Sequence, residues 1–139
     1  MGVVYLHLRE YREANEYLGK ALVIRKDVGD RRYEAIDYGN LGSGFRALGE
    51  YSKARGYYEK SLAITVEICD RDGEARDYGN IGIVFYHLGD YRKSREHLEK
   101  APAISKEIGD REGVSASYGN LGTVCRALGK NNKAKEYLE

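Results

Sequence analysis

The sequence predicts an all-α fold built of repeated antiparallel helical hairpins, and three observations predict it. The stretch YGNLG at 38–42 returns as YGNIG at 78–82 and as YGNLG at 118–122. A constant step of about 40 residues marks stacked supersecondary units rather than one globular core. Within each copy the apolar residues recur at helical, not alternating, spacing. Glycine supplies the punctuation, and 1 Pro and 0 Trp in 139 residues leave an all-β fold without its turns.

In chain order the period divides the sequence into a partial repeat at 1–30, full repeats at 31–70 and 71–110, and a partial repeat at 111–139. Together they form a single array that reads as a segment of a longer one. The landmark LGEY at 48–51 returns as LGDY at 88–91, with LREY at 8–11 and LGKN at 128–131 in the end copies. Each is expected to turn one helix back on the next. Gly49 and Gly89 suit a helix C-terminus in the left-handed conformation, and Glu50 or Asp90 opens the following helix with favourable charge. Between repeats, Gly29-Asp30 and Gly109-Asp110 place a glycine stop before an aspartate N-cap.

The first helix of a repeat carries its core stripe on Tyr38, Leu41, Phe45 and Leu48, with Ile36, Gly39, Asn40, Ser43, Arg46 and Ala47 on the other side. The second helix carries Ala14, Leu18, Ala21 and Val28 in the first copy, and Ala54, Tyr58, Ser61 and Ile68 in the next. Pro102 stands where the other copies have Leu22 and Leu62. Its ring removes the amide that would bond the carbonyl of Leu98, so the helix is expected to bend there.

Tyr38, Leu41, Gly42, Phe45, Gly49, Tyr51, Ala54, Tyr58 and Ser61 follow, in order and spacing, the pattern W-x-x-L-G-x-x-Y, G-x-Y, A-x-x-x-F-x-x-A. The chain thereby resembles the tetratricopeptide repeat family over essentially its whole length. The 40-residue copies with GDR between them are similar to the arrays of the Pins/LGN scaffolds and of tetratricopeptide repeat protein 28, with Ser43, Ile83 and Thr123 where the LGN triplet has Asn. The resemblance implies a right-handed superhelix with a concave face that receives a peptide.

Two kinds of glycine are expected in the YGN(L/I)G stretch. Gly42, Gly82 and Gly122 lie beside the core stripe, where the small Ala54, Ser94 and Ala134 of the partner helix approach. Gly39, Gly79 and Gly119 lie on the opposite face, where packing does not demand Gly and each costs about 0.5–1 kcal/mol relative to Ala. A bare backbone there lets a peptide come close, and Asn40, Asn80 and Asn120 beside it offer both donor and acceptor to an extended main chain. Asparagines that only hold the stack together are the competing reading. Arg46, Arg76, Tyr86, His87 and Arg126 complete the candidate peptide-binding set and suit a partner that is acidic or amphipathic.

Other chemistries find little support. The 23 basic and 22 acidic residues give a net charge of +1, which implies no general affinity for nucleic acid or anionic membrane. GNLGSG at 39–44 has its glycines in the wrong order and follows no strand, so the dinucleotide fingerprint is not met. His7, His87 and His97 are scattered, no Ser, His and Asp set converges, and no catalytic residue, metal or other cofactor is expected. Cys69 takes the place of Gly29 in a turn, while Cys125, in the slot of Phe45 and Phe85, is expected to be buried. Neither has disulfide or zinc spacing, which points to a reducing, cytoplasmic setting. The expected function is a non-catalytic protein-interaction scaffold. The alternative is a structural spacer or a self-associating array, joined head to tail through end surfaces such as Val3, Val4, Tyr137 and Leu138.

Overall fold

The computed structural model describes the backbone of residues 2–138 and the side chains of residues 7–132. Val3, Val4, Ala134, Tyr137 and Leu138, which carry the expected end surfaces and the expected partner of Gly122, have side chains outside the described set. Every regular element among the described residues is a helix, and the chain forms two compact units, Met1–Asp70 and Arg71–Glu139. In the first unit α2 (Arg31–Ala47) packs against both α1 (Gly2–Val28) and α3 (Tyr51–Glu67). In the second, α5 (Tyr91–Leu98) and α6 (Lys100–Glu107) pack against both α4 (Arg71–His87) and α7 (Arg111–Leu138).

Local chemistry explains the turns. Gly49 and Gly89 adopt φ of 76° and 82°. Their amides and those of Glu50 and Asp90 bond back onto the last carbonyls of α2 and α4 at 2.9–3.1 Å, the left-handed helix stop that glycine permits without a Cβ penalty. Gly29 and Gly109 do the same at the repeat boundaries, and Cys69 follows with φ 58°, a non-glycine residue held in the left-handed region. Asp30, Asp90 and Asp110 then accept from the amides of Tyr33, Lys93 and Gly113 at 3.3, 3.2 and 3.0 Å. Those bonds satisfy amides that a helix start leaves open.

The ends depart from the expected hairpins. No turn forms at 8–11 or at 128–131, because α1 and α7 each run straight through. Arg9 occupies the glycine place in the first case. In the second, Gly129 is present, but Lys130 and Asn131 replace the acidic residue and the tyrosine that start α3 and α5. A glycine without an N-cap behind it remains helical.

The second-helix stripe needs a parallel correction. Ala54, Tyr58 and Ser61 are buried and are joined by Ile64 and Thr65. Val28 and Ile68, one residue short of the turn, are exposed, and so is Ala14. In the first unit Tyr38 and Leu41 meet Leu22, Ala35 and Ile64, with Leu18, Phe45 and Tyr57 packed at the edge.

The packing glycines divide. A Cβ on Gly42 would stand 2.8 Å from the Tyr58 ring, and one on Gly82 would stand 2.5 Å from Leu98 Cγ and 3.2 Å from the Ser94 carbonyl oxygen. The close approach thus falls one turn beyond the small Ala54 and Ser94. Tyr58 exchanges a 2.8 Å hydrogen bond with Ser43, and the buried Ser94 hydroxyl donates to the Gly82 carbonyl at 2.6 Å. At Gly122 nothing lies within 4 Å. The unbroken run of α7 explains this, since among the described residues no helix folds back there, and it also leaves Cys125 exposed instead of buried.

Each hairpin is tied at its open end by an arginine of the repeat boundary. Arg31 reaches Glu67 at 2.5 Å and Glu34 at 3.1 Å, and Arg71 reaches Glu107 at 2.5 Å and Glu74 at 2.8 Å. Glu107 first, and then Glu74, holds the Arg71 guanidinium above its ordinary value. The helix that carries Pro102 is interrupted at Glu99, whereas its counterpart α3 is continuous over 17 residues. Pro102 itself is buried.

Two predictions follow from this packing. Gly82→Ala should lower stability by about 1–3 kcal/mol through overpacking, whereas Gly122→Ala should raise it by about 0.5–1 kcal/mol, as for an open helical site. Urea denaturation of both variants checks the opposite signs. Pro102→Leu restores the missing amide and should fuse α5 with α6 and raise Tm. An unchanged Tm would show that the interruption carries no strain.

Candidate functional site

One side of α4 carries Arg76, Gly79, Asn80, Ile83, Tyr86 and His87, at the three- and four-residue spacing of a helix face. Gly113, Asn120, Thr123, Arg126 and Lys130 of α7 line the same cavities. Leu98 of α5 and Ala101 and Ser105 of α6 also line them, from the helices packed against both α4 and α7. The crevice so formed contains three adjoining cavities. The first, of about 330 Å³, contains Arg76, Gly79, Asn80 and Asn120, with Asp72 and Asp110. A second, of about 200 Å³, shares Ile83 and Asn120 with it and adds Tyr86, His87, Leu98, Thr123 and Val124. The third, of about 340 Å³, shares Tyr86 and Thr123 with the second and adds Tyr91, Arg126, Lys130 and Asn131.

Six of the eight residues singled out from the sequence therefore lie along one crevice: Arg76, Asn80, Tyr86, His87, Asn120 and Arg126. Asn80 and Asn120 line the same cavity from different helices, and neither side chain makes a hydrogen bond among the described residues. A Cβ on Gly79 or Gly119 would meet nothing within 4 Å, and one on Gly39 meets only the Ser61 hydroxyl at 3.9 Å. Packing does not require a glycine at these positions. Asn40, exposed, and Arg46, half-buried, sit on α2 of the first unit.

Aromatic contacts order the middle of the crevice. The Tyr86 ring lies 5.4 Å from Tyr91 and 5.5 Å from His87, edge-on to the latter. His97 packs its ring 5.1 Å from Phe85, away from the crevice residues, and no group of three or more His, Cys, Asp or Glu gathers among the described residues. Among the same residues no helix is long and apolar enough to cross a membrane. Sequence reasoning missed Leu98, Ala101 and Ser105, although Ser94, Leu98, Ala101 and Ser105 recur at four, three and four residues and so announce a buried helix side. It also missed Tyr91 and Lys130, whose place depends on how α7 continues.

Helices in repeated hairpins, glycine turns at a constant interval and a crevice between equivalent helices define an α-helical repeat protein. The tetratricopeptide repeat profile matches residues 1–65 and 70–139, and the chain belongs to the tetratricopeptide repeat family. Among solved structures it is similar to BtubC (BKLC) from P. vanneervenii, at 26% identity and TM-score 0.79 over 96% of this chain and 57% of that one. It is similar in fold to a Pyrococcus horikoshii signal transduction ATPase with numerous domains that has a tetratricopeptide repeat sensor, at 24% identity and TM-score 0.76 over 82% of this chain and 18% of that one. The tetratricopeptide domain of Arabidopsis FLU matches at 23% identity and TM-score 0.68, over 78% of this chain and 91% of that one. The chain thus spans little more than half of the first of these proteins and under a fifth of the second. No curated protein matches the sequence significantly. Tetratricopeptide repeat proteins are in general non-catalytic and mediate contacts between proteins.

Proposed function

We propose that the chain is a protein-interaction scaffold that holds an extended peptide segment of a partner in the crevice between α4 and α7. The observation that carries this reading is the pair Asn80 and Asn120, which line one cavity with no hydrogen bond to the protein among the described residues. A carboxamide presents a donor and an acceptor together, the two groups that an extended main chain needs answered at each residue. Gly79 beside Asn80 leaves the backbone of α4 bare, so the peptide can approach it closely. The free thiols at Cys69 and Cys125 favour a reducing, cytoplasmic place of action.

Binding to peptides selected from a random display library, measured by fluorescence anisotropy, tests the proposal. The double variant Asn80→Ala, Asn120→Ala should keep its helicity and Tm and bind more weakly by about 1–3 kcal/mol, or roughly 5- to 150-fold. Gly79→Ala should raise Tm while weakening binding, since its methyl group stabilises the helix and projects into the crevice. A double variant that melts early and binds unchanged would assign the asparagines to the structure and leave the crevice without this role.

A further inference from the structure

The three cavities differ in chemistry, and the difference specifies what the peptide must carry. The middle cavity is apolar: Leu98 and Val124 beneath it are 1% and 2% exposed, and Ile83 forms its wall. Its volume of about 200 Å³ exceeds the ~150 Å³ of an apolar cavity that admits benzene, so one aliphatic side chain fits. The cavity beyond Tyr86 and Thr123 is cationic. Arg126 and Lys130 line it with Tyr86, Tyr91, Thr123 and Asn131, and among the described residues no carboxylate does. Neither cation forms an ion pair among the described residues. At the other end Asp72 and Asp110 line the asparagine cavity with Arg76, so its carboxylates outnumber its cation and an anion is less favoured there than beside Arg126 and Lys130.

The spacing follows from helix geometry. Asn120, Thr123 and Val124 line the apolar cavity, and Thr123, Arg126, Ala127 and Lys130 line the cationic one. The two are therefore offset along α7 by four to five residues, or about 6–7 Å at ~1.5 Å per residue. An extended peptide covers that distance in two residues, at ~3.3 Å each, and residues two apart point to the same side. Resting on the proposed peptide-binding role of the crevice, we infer that its ligand carries an aliphatic residue at the Ile83–Leu98–Val124 pocket and, two positions away, an acidic residue at Arg126 and Lys130.

Selection from a random dodecamer display library against the intact chain, and in parallel against the Arg126→Glu, Lys130→Glu variant, tests the inference. Wild type should enrich an aliphatic and an acidic residue two positions apart, in one chain direction. The variant, checked for unchanged helicity, should enrich the same aliphatic residue with Lys or Arg in the acidic place and should bind the wild-type peptides at least about tenfold more weakly. Peptides that depend on Asn80 and Asn120 but show no such pair, or a variant with unaltered preference, would overturn the inference and leave the crevice reading standing. Selected peptides indifferent to the asparagines would overturn both.

Discussion

In each complete hairpin the two helices meet where one of them has no side chain, and the remaining contacts are arranged around that approach. At Gly42 the ring of Tyr58 occupies the space a Cβ would need, and at Gly82 Leu98 does. A methyl group at either place would force the helices apart and with them the buried neighbours Ala54, Ser94 and Ser61. Interiors pack at crystal-like density, so such a displacement is not absorbed locally. The glycine turns fix where a helix reverses, but the close approach fixes how deeply the second helix sits. In the second unit that depth sets the level of the crevice floor.

The same position shows how one repeat can pack like its neighbour and offer a different surface. In the first hairpin Ser43 and the buried Tyr58 satisfy one another through a 2.8 Å hydrogen bond. In the second the corresponding residues are Ile83 and Leu98, both apolar, and both line the middle cavity of the crevice. A polar pair that needed an internal partner has become an apolar pair that needs only a neighbour, and a pocket wall lined by it suits an aliphatic group. The glycine just before the variable position, Gly42 or Gly82, stands in both hairpins, so the close approach is kept while the surface chemistry changes.

Periodicity made the inner architecture legible. The stripe through Tyr38 and Leu41, the turns at Gly49 and Gly89, the aspartate caps and the tight contacts at Gly42 and Gly82 all follow from residue type and spacing. It failed where equivalence of position does not bring equivalence of neighbours. Cys125 shares its place with Phe45 and Phe85, and Gly122 with Gly42 and Gly82, but burial at either requires a helix folded back on α7. That depends on the residue after Gly129, which is lysine rather than an acid. Capping is a short-range choice that a repeat pattern averages away. The crevice was legible in the helix face that carries Asn80 and Tyr86; its floor was not, because Leu98, Ala101 and Ser105 belong to the partner helices, and spacing alone does not tell which of their buried positions border an opening.

The interruption at Glu99 divides that floor. Leu98, the last residue of α5, lies under the apolar cavity, whereas Ala101 and Ser105 of α6 lie under the asparagine cavity. A continuous helix is a stiff rod, and a load on one turn is carried to the next through its ladder of hydrogen bonds. With Pro102 unable to donate to the carbonyl of Leu98, the rod has a joint between the two loads. Mechanically the crevice floor is thus two supports rather than one, so a displacement of α5 under the apolar cavity is not carried rigidly to α6 under the asparagine cavity.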